Sequence, residues 1–404
     1  MMTEQAPDTG KHWQGNIRFV LISATFINTV VATAGYLIPA LATATRETLG
    51  VDAAFFGFQV TLAFGSGGVS AMIGGGIVGR FGPCRVSQFA LALIAIGCAL
   101  YAVPQSSILT AGSIVIGLGY GLANPAASVL LTRFGHPARL NFLFSFRQAS
   151  TALGAVCAGM LGPAIAIVWG WQWAFYSVAI LSLGVALSIN GLRGSWDDGA
   201  DLRTPLSTPW EGFRIVIRNK SLLWLCIAGI GFSAVQMGLF AFLVLFLVED
   251  VGFTLAAGGM VLSLINFLGA GSRILWGWRA DRTGNSLLVV AIMGVATAII
   301  AALAAFATPD WPQWLVFGIF SAFGLAAFGW SGIVMANVAM RAEPDKIAET
   351  VGAGLGFLFS GAWIGPSIGS LILHVTGSYR YVFLFLSGAA LVATVLAVKA
   401  SRYK

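Results

Sequence analysis

The stretch LLVVAIMGVATAIIAALAAFA, residues 287–307, holds no charged side chain and is long enough to cross a lipid bilayer as a helix. Its apolar residues follow one another without the alternation of a barrel strand, and only helices or closed barrels satisfy the backbone in lipid. Similar runs recur along all 404 residues, of which 58% are hydrophobic and 9% charged. The sequence therefore predicts an all-α membrane protein.

Charges, prolines and glycine-rich polar clusters divide the chain into twelve predicted spans. The predicted spans cover residues 17–45, 54–79, 86–103, 107–132, 141–168, 172–192, 221–248, 254–278, 286–307, 312–340, 348–375 and 380–399. The first apolar stretch is too long for a removable signal peptide, so we expect it to stay in the membrane.

The longest interruption between spans is polar, contains prolines and separates two sets of six. We predict an N-terminal tail at 1–16, a six-helix bundle at 17–193, a linker with an amphipathic portion at 194–220, a second six-helix bundle at 221–400 and a tail at 401–404. The linker is too short to form a separate domain.

The basic residues predict the orientation of the chain. With the N-terminus inside, eighteen of the 22 basic residues fall in interior segments, Arg46 and Arg380 fall outside, and two lie within spans. Because basic residues favour the cytoplasmic side, both termini should be cytoplasmic and the protein should be multi-pass in the inner (plasma) membrane. The positive charge is spread over many short segments, so no nucleic-acid partner is expected.

The two halves resemble parallel repeats. Gly117 and Pro137 recur 207 residues later as Gly324 and Pro344, and Gly170 recurs at the same offset as Gly377. Matching directions imply two pseudo-symmetric bundles related by an axis along the membrane normal.

The loop after span 8, residues 277–285, reads GWRADRTGN and resembles the glycine-x3-aspartate-arginine-x-glycine motif of the major facilitator superfamily of secondary transporters. The corresponding loop after span 2, residues 75–85, departs from that motif: glycine replaces the acid, and Cys84 replaces a basic residue. The resemblance covers essentially the whole chain. It implies a cavity lined by spans 1, 4, 7 and 10, and a contact between the halves formed by spans 2, 5, 8 and 11. It also implies a cytoplasmic gate that includes Gly79, Arg80, Asp281 and Arg282.

By the same resemblance, Asp281 should approach the start of span 5, near Arg139 and Asn141. A carboxylate at that place would interact favourably with the positive end of the helix. The equivalent latch at the start of span 11 lacks its carboxylate, since residue 79 is glycine.

Arg147 in span 5 and Arg273 in span 8 lie at apparent bilayer depth, and no aspartate or glutamate lies at the same depth. A charge there costs about 2.5–3.5 kcal/mol on insertion scales and usually marks a ligand or ion path. The sign of the charge points to an anionic substrate.

For Arg273, the functional interpretation is a direct contact to a substrate carboxylate, since the guanidinium fork fits two oxygens. The alternative is a snorkelling or carbonyl-bonded arginine. The pattern Asn266, Gly269, Arg273, Gly277 and Asp281 resembles oxalate/formate exchangers and monocarboxylate transporters, which implies anion binding by Arg273.

Arg147 and the adjacent Gln148 resemble basic-glutamine pairs of cyanate-type transporters. Arg147 is equally open to a structural interpretation, in which it pairs with Asp281 or a carbonyl at the contact between spans 5 and 8. Further candidate substrate contacts are Asn28, Tyr36, Tyr120, Asn124, Gln236, Trp330 and Asn337. Polar side chains at such positions also serve as interhelical hydrogen bonds or packing groups.

All fifteen acids fall in tails, loops or span ends, so the sequence shows no obvious buried proton carrier; Glu349 and His374 remain open as proton sites. No nucleophile-base set, metal-ligand spacing or phosphate-binding loop is present, so neither an enzyme nor a cofactor is expected. The sequence predicts a monomeric carrier of a small organic anion, of the carboxylate class, that works by alternating access. Alternatives are an exporter of amphipathic or drug-like compounds and a transporter-like nutrient sensor.

Overall fold

The computed structural model of the protein describes residues 16–51, 53–198, 200 and 209–403. Twelve helices within these ranges are long and apolar enough to cross a membrane, as the sequence predicts. In order, spans 1 to 12 are Ile17–Ala40, Ala53–Phe81, Pro83–Tyr101, Ser106–Phe134, Leu140–Trp169, Trp171–Ser188, Lys220–Glu249, Leu255–Thr283, Ser286–Ala304, Gln313–Ala327 with Trp330–Met340, Ile347–Thr376 and Tyr379–Ser401.

Five short elements and one surface helix lie between the spans in the described part of the chain. They are the helices Ala42–Leu49, Arg193–Trp196 and Pro209–Arg218, with 3-10 turns at Pro137–Arg139, Ile189–Leu192 and Pro344–Lys346. Residues 1–15 of the predicted tail, residues 199 and 201–208 of the predicted linker, and residue 404 lie outside the described residues, so the predicted domain boundaries stay predictions.

Span 10 differs from the sequence expectation, which treated residues 312–340 as one helix. The helix stops at Ala327 and resumes at Trp330, leaving Phe328 and Gly329 outside regular helix. At Gly329 an added Cβ would lie 2.6 Å from the Trp276 ring. The break therefore packs closely against span 8, where only a glycine fits.

Two other span ends differ from expectation. Span 8 continues to Thr283, five residues beyond its predicted end at 278, and terminates at Gly284 with φ +62. Span 1 ends at Ala40, just after Pro39, and the chain starts a separate helix at Ala42. The left-handed glycine and the proline account for these two ends.

The predicted internal repeat is visible in the helix bounds. The 3-10 turn Pro137–Arg139 leads into Leu140–Trp169, and 207 residues later the turn Pro344–Lys346 leads into Ile347–Thr376. Both long helices end at a glycine with positive φ, at 94° for Gly170 and 65° for Gly377. The two bundles thus share the same local architecture at spans 5 and 11.

Glycine allows the two halves to meet closely. A Cβ at Gly277 in span 8 would lie 2.4 Å from Ser145 in span 5, and one at Gly75 in span 2 would lie 2.4 Å from the Cα of Glu349 in span 11. Both contacts lie toward the predicted cytoplasmic end.

Among the described residues, every hydrogen bond between the halves joins the first part of span 5 to span 8 or span 10. The residues concerned are Asn141, Phe142 and Gln148 on one side and Arg273, Asp281 and Asn337 on the other. The structure is therefore closed at the predicted cytoplasmic end.

Candidate substrate site and gate

Arg273 is buried at 6% exposure and binds two main-chain carbonyls. Its Nε donates to the Phe328 oxygen at 3.3 Å, and its Nη1 donates to the Gln148 oxygen at 3.2 Å. The guanidinium also lies 5.8 Å from the Phe328 ring centroid. Arg273 thus binds the main chain at the break in span 10. Its Nη2 donates to no residue in the described part of the chain, so N–H donors are left for a ligand.

Arg147 is buried at 1% exposure and binds two amide oxygens. Its Nη1 donates to Asn124 Oδ1 at 3.0 Å, and its Nη2 donates to Gln148 Oε1 at 3.1 Å. Its buried Nε has no partner among the described residues. Gln148 connects the two arginines, since its side chain accepts from Arg147 and its main chain from Arg273.

Neither arginine has a carboxylate partner in the described ranges. The ion pairs found there join Arg133 to Asp198 at 3.0 Å and Lys346 to Glu349 at 3.8 Å, both near the predicted cytoplasmic end. A buried cation without a counter-charge is costly. Amide and carbonyl dipoles offset part of that cost, and an anionic ligand would offset more.

A row of aromatic rings lies beside the arginines. Tyr36, Phe64, Tyr120 and Phe359 contact one another in sequence, with ring centroids 5.9, 5.7 and 6.4 Å apart. All four side chains are half-buried. Tyr120 lies near both Arg147 and Arg273, and Tyr36 lies near Arg273. The row joins spans 1, 2, 4 and 11, so it crosses between the halves.

Sequence reasoning missed Phe64 and Phe359 in this row. They lie in spans 2 and 11, which the family resemblance assigns to the contact between halves and not to the cavity lining. No sequence signal separates them from lipid-facing phenylalanines; only the structure shows that Phe359 packs against span 2, where a Cβ at Gly68 would lie 3.3 Å from the Cβ of Phe359.

Asn28 connects span 1 to the arginine on span 5. Its Nδ2 donates to Ser150 Oγ at 2.6 Å, and the Ser150 hydroxyl in turn donates to the Arg147 carbonyl. The buried Oδ1 of Asn28 and the buried Oγ1 of Thr25 have no partner among the described residues. The structure therefore brings Asn28 next to Arg147, together with Asn124, Gln148 and Tyr120.

Three predicted substrate contacts have no hydrogen bond or ring contact with either arginine among the described residues, so their roles stay predictions. Gln236 is buried on span 7 at 7% exposure, with no hydrogen bond to a described residue. Trp330 is 3% exposed and stacks on Phe232 with centroids 5.6 Å apart, inside the second bundle. Asn337 donates to Asn141 Oδ1 at 3.1 Å, which places it in the gate and not beside the arginines.

The predicted contact of Asp281 with the start of span 5 is present. The carboxylate accepts from the Asn141 main-chain N–H at 3.1 Å, the Asn141 side chain at 2.9 Å and the Phe142 N–H at 2.8 Å. A carboxylate that binds the free N–H groups of a helix start is stabilised by the helix dipole. Asn337 strengthens this contact, and Arg341 donates to Asn337 Oδ1 at 2.6 Å.

The pseudo-equivalent contact on the other side is apolar. Asn141 corresponds to Ala348, 207 residues later in the chain, and Asn337 corresponds to Leu130, 207 residues earlier. Ala348 and Leu130 lie in one hydrophobic cluster. Gly79, which replaces the aspartate, is exposed and has open space around an added Cβ. The Asn141–Asn337 contact therefore has an apolar counterpart at Ala348 and Leu130.

The two arginines of the loop motifs contact aromatic rings. Arg80 lies 5.5 Å from the Phe81 centroid, and Arg282 lies 4.3 Å from the Trp278 ring. Their gating roles stay predictions.

Comparison with known protein families and structures places this chain with membrane transporters of one superfamily. The profile of the Major Facilitator Superfamily matches residues 21–362. The "Probable plastidic glucose transporter 2" of Arabidopsis thaliana is 28% identical over 138 residues, which are 32% of this chain and 28% of that protein's length.

Solved structures share the fold at low identity. The human organic anion transporter MFSD10 (TETRAN) superposes with a TM-score of 0.76 at 16% identity, covering 97% of this chain and all of that one (100%). The fucose:proton symporter FucP of E. coli gives 0.75 at 14% identity, with 94% and 98% coverage. The proton:xylose symporter XylE gives 0.73 at 13% identity, with 95% coverage of each chain.

Proposed function

Because this chain belongs to the Major Facilitator Superfamily, it is a multi-pass membrane transporter of small molecules, and we propose that its substrate is a small organic anion, a carboxylate. Arg273 and Arg147 bind the anion, and the two bundles rock about it so that the site opens to each side in turn. The observation that carries this proposal is the pair of buried guanidinium groups joined by Gln148 with no carboxylate partner in the described residues.

The remaining contacts fit a molecule with a charged end and an apolar end. Unused N–H donors of Arg273 are available for carboxylate oxygens, while the Tyr36 to Phe359 row provides an apolar wall. Charge-assisted hydrogen bonds are about twice as strong as neutral ones. The anion would be bound at its carboxylate and shielded from water by the rings.

Transport by this proposal takes place in the inner (plasma) membrane, by a monomer. Arg273 belongs to one bundle and the Gln148 carbonyl to the other, so an anion that draws the guanidinium toward itself weakens a bond between halves. Substrate binding thereby lowers the free energy needed to open the closed end. Proton coupling through Glu349 or His374 is a separate hypothesis, and neither residue is among the contacts of the arginines.

The test is a thermal-shift screen of the purified full chain with small carboxylates, sulfonates and inorganic anions, followed by uptake into proteoliposomes. A hit among carboxylates should stabilise the wild type, and Arg273→Gln should weaken its binding about ten- to a hundredfold, the loss expected for charged hydrogen bonds. Arg402→Gln is a matched control, since it removes an exposed arginine far from the site. Wild-type transport by Arg273→Gln would refute the assignment.

A neutral sugar is the second candidate substrate. The partial match to a glucose transporter favours it, and amides such as Asn124 and Gln148 beside aromatic rings are suited to hydroxyl groups. The same screen with monosaccharides separates the two candidates. Stabilisation by sugars, with no response to carboxylates, would replace the anion proposal.

A further inference from the structure

The surface helix Pro209–Arg218 between the two bundles has one face packed on the protein and one face free. On the packed face, Val216 is fully buried and the Phe213 ring lies 5.1 Å from Phe357 of span 11. A Cβ at Gly212 would lie 2.5 Å from the Glu349 carbonyl. These contacts fix the rotation of the helix about its own axis.

The opposite face carries Trp210, Arg214, Ile217 and Arg218, which recur at helical spacing and are all exposed. Trp210 is 74% exposed and Ile217 57% exposed, although both are apolar. A helix with aromatic and aliphatic residues beside arginines is typical of a segment that lies in the membrane interface. Span 7, the first span of the second bundle, begins at Lys220, two residues after the surface helix ends at Arg218. The surface helix therefore lies at the level of the bilayer surface.

We propose that this exposed stripe of Trp210, Arg214, Ile217 and Arg218 binds the headgroups of anionic phospholipids. The apolar pair would enter the boundary between headgroups and acyl chains, while the two guanidinium groups meet the phosphates. Charge complementarity selects this occupant, because both charged residues of the stripe are arginines, while the acidic residue of the helix, Glu211, is half-buried at the edge of the stripe beside Arg218. Each basic residue near an anionic membrane surface contributes about fivefold in affinity, from about 1 kcal/mol per residue.

The test titrates the full chain in detergent with short-chain phosphatidylglycerol or phosphatidylcholine and measures binding by microscale thermophoresis. The wild type should prefer phosphatidylglycerol, and Arg214→Gln with Arg218→Gln should lose about fivefold of that preference per arginine. The matched control, Arg18→Gln with Arg402→Gln, removes two exposed charges elsewhere and should keep the preference. Replacing both stripe arginines by lysine should also keep it.

Equal affinity for the two lipids in the wild type, or an unchanged preference in the double glutamine variant, would overturn the proposal. Glycerol phosphate carries the charge without acyl chains and should not displace the lipid at equal concentration. Displacement would mean that a soluble anion is the ligand. The measurement uses no transported substrate, so its result is independent of the proposed transport function.

Discussion

Arg273 donates from Nη1 to the main-chain oxygen of Gln148 at 3.2 Å, and this bond joins the second bundle to the first. The same guanidinium is the main candidate to bind substrate. Under the proposed function, substrate recognition and closure of the protein would share this one side chain, which would give a physical route from binding to conformational change.

We predict that Arg273→Gln does not lower the thermal stability of the protein without substrate. Removing an unpaired charge from bilayer depth recovers up to about 2.5–3.5 kcal/mol, which offsets the lost bonds to Phe328 and Gln148. The check is the melting temperature of purified wild type and variant, with and without the anion found in the screen. A purely structural arginine would give the opposite result, a clear loss of stability without ligand.

Arg147→Ala should raise KM about tenfold or more and leave kcat nearly unchanged. Arg147 bonds to Asn124 and Gln148 within its own bundle, whereas Asp281 bonds to Asn141 and Phe142, so the structure does not pair Arg147 with the gate. Proteoliposome uptake over a range of substrate concentrations measures both constants, and high concentration should rescue a lost binding contact. A fall in kcat that concentration does not rescue would assign Arg147 to the gate instead, with Arg147→Lys as the charge-preserving control.

Asp281→Asn should open the predicted cytoplasmic end more often. The charged carboxylate at the start of span 5 is worth about 0.3–1 kcal/mol, so the open population should rise up to about fivefold. Thr151 lies on span 5, where its side chain hydrogen-bonds Tyr120. A cysteine at this position, in a background without the native cysteines, would report the opening as faster labelling by an impermeant maleimide added at the cytoplasmic side. The exposed Asp198→Asn substitution is the control, and equal labelling rates in both variants would contradict the role of Asp281.

Gly79→Asp should favour the closed state at the predicted cytoplasmic end. The structure has open space around a Cβ at residue 79, and the nearby start of span 11 is the pseudo-equivalent of the helix start that Asp281 binds. We expect slower labelling of the same Thr151 cysteine, by up to about fivefold. Gly79→Asn, similar in size but uncharged, should have a smaller effect; unchanged accessibility in Gly79→Asp would argue against the second latch.

From the surroundings of Asp197 we predict that the thermal stability of the protein depends on pH. It accepts from the Cys84 N–H at 2.7 Å and the Arg85 N–H at 3.3 Å, at the start of span 3. Burial raises the pKa of the Asp197 carboxyl above 3.8, although these hydrogen bonds oppose the shift. A raised pKa means that the folded state binds the proton more tightly than the unfolded state does, so this group adds stability as the pH falls through its folded pKa.

The wild type should therefore gain thermal stability relative to Asp197→Asn as the pH is lowered from neutral toward 3.8, the ordinary value for the carboxyl. Melting temperatures of both proteins across that range provide the check, and Asp198→Asn at the neighbouring exposed residue is the matched control. A difference between wild type and Asp197→Asn that stays constant with pH would contradict the prediction.

Much of the candidate site follows from the sequence because charge at bilayer depth is rare and therefore informative. Arg147, Arg273 and Gln148 are identifiable from their positions in apolar spans, and Asp281 from its loop motif. Trp330 and Asn337 could not be assigned in the same way, since a polar or aromatic residue in a span packs equally well in a bundle core, in a gate or in a cavity. Phe64 and Phe359 give no sequence signal that separates them from lipid-facing phenylalanines.

The sequence by itself determined the membrane class, the twelve spans, the repeat and the presence of two unpaired arginines, because the bilayer imposes length, helicity and the exclusion of charge on each segment separately. Only the tertiary structure decided that Gln148 joins the two arginines, that span 10 breaks at Phe328, and that the polar Asn141–Asn337 contact has an apolar counterpart at Ala348 and Leu130. Those features depend on contacts between residues far apart in the chain, which local composition and periodicity do not encode.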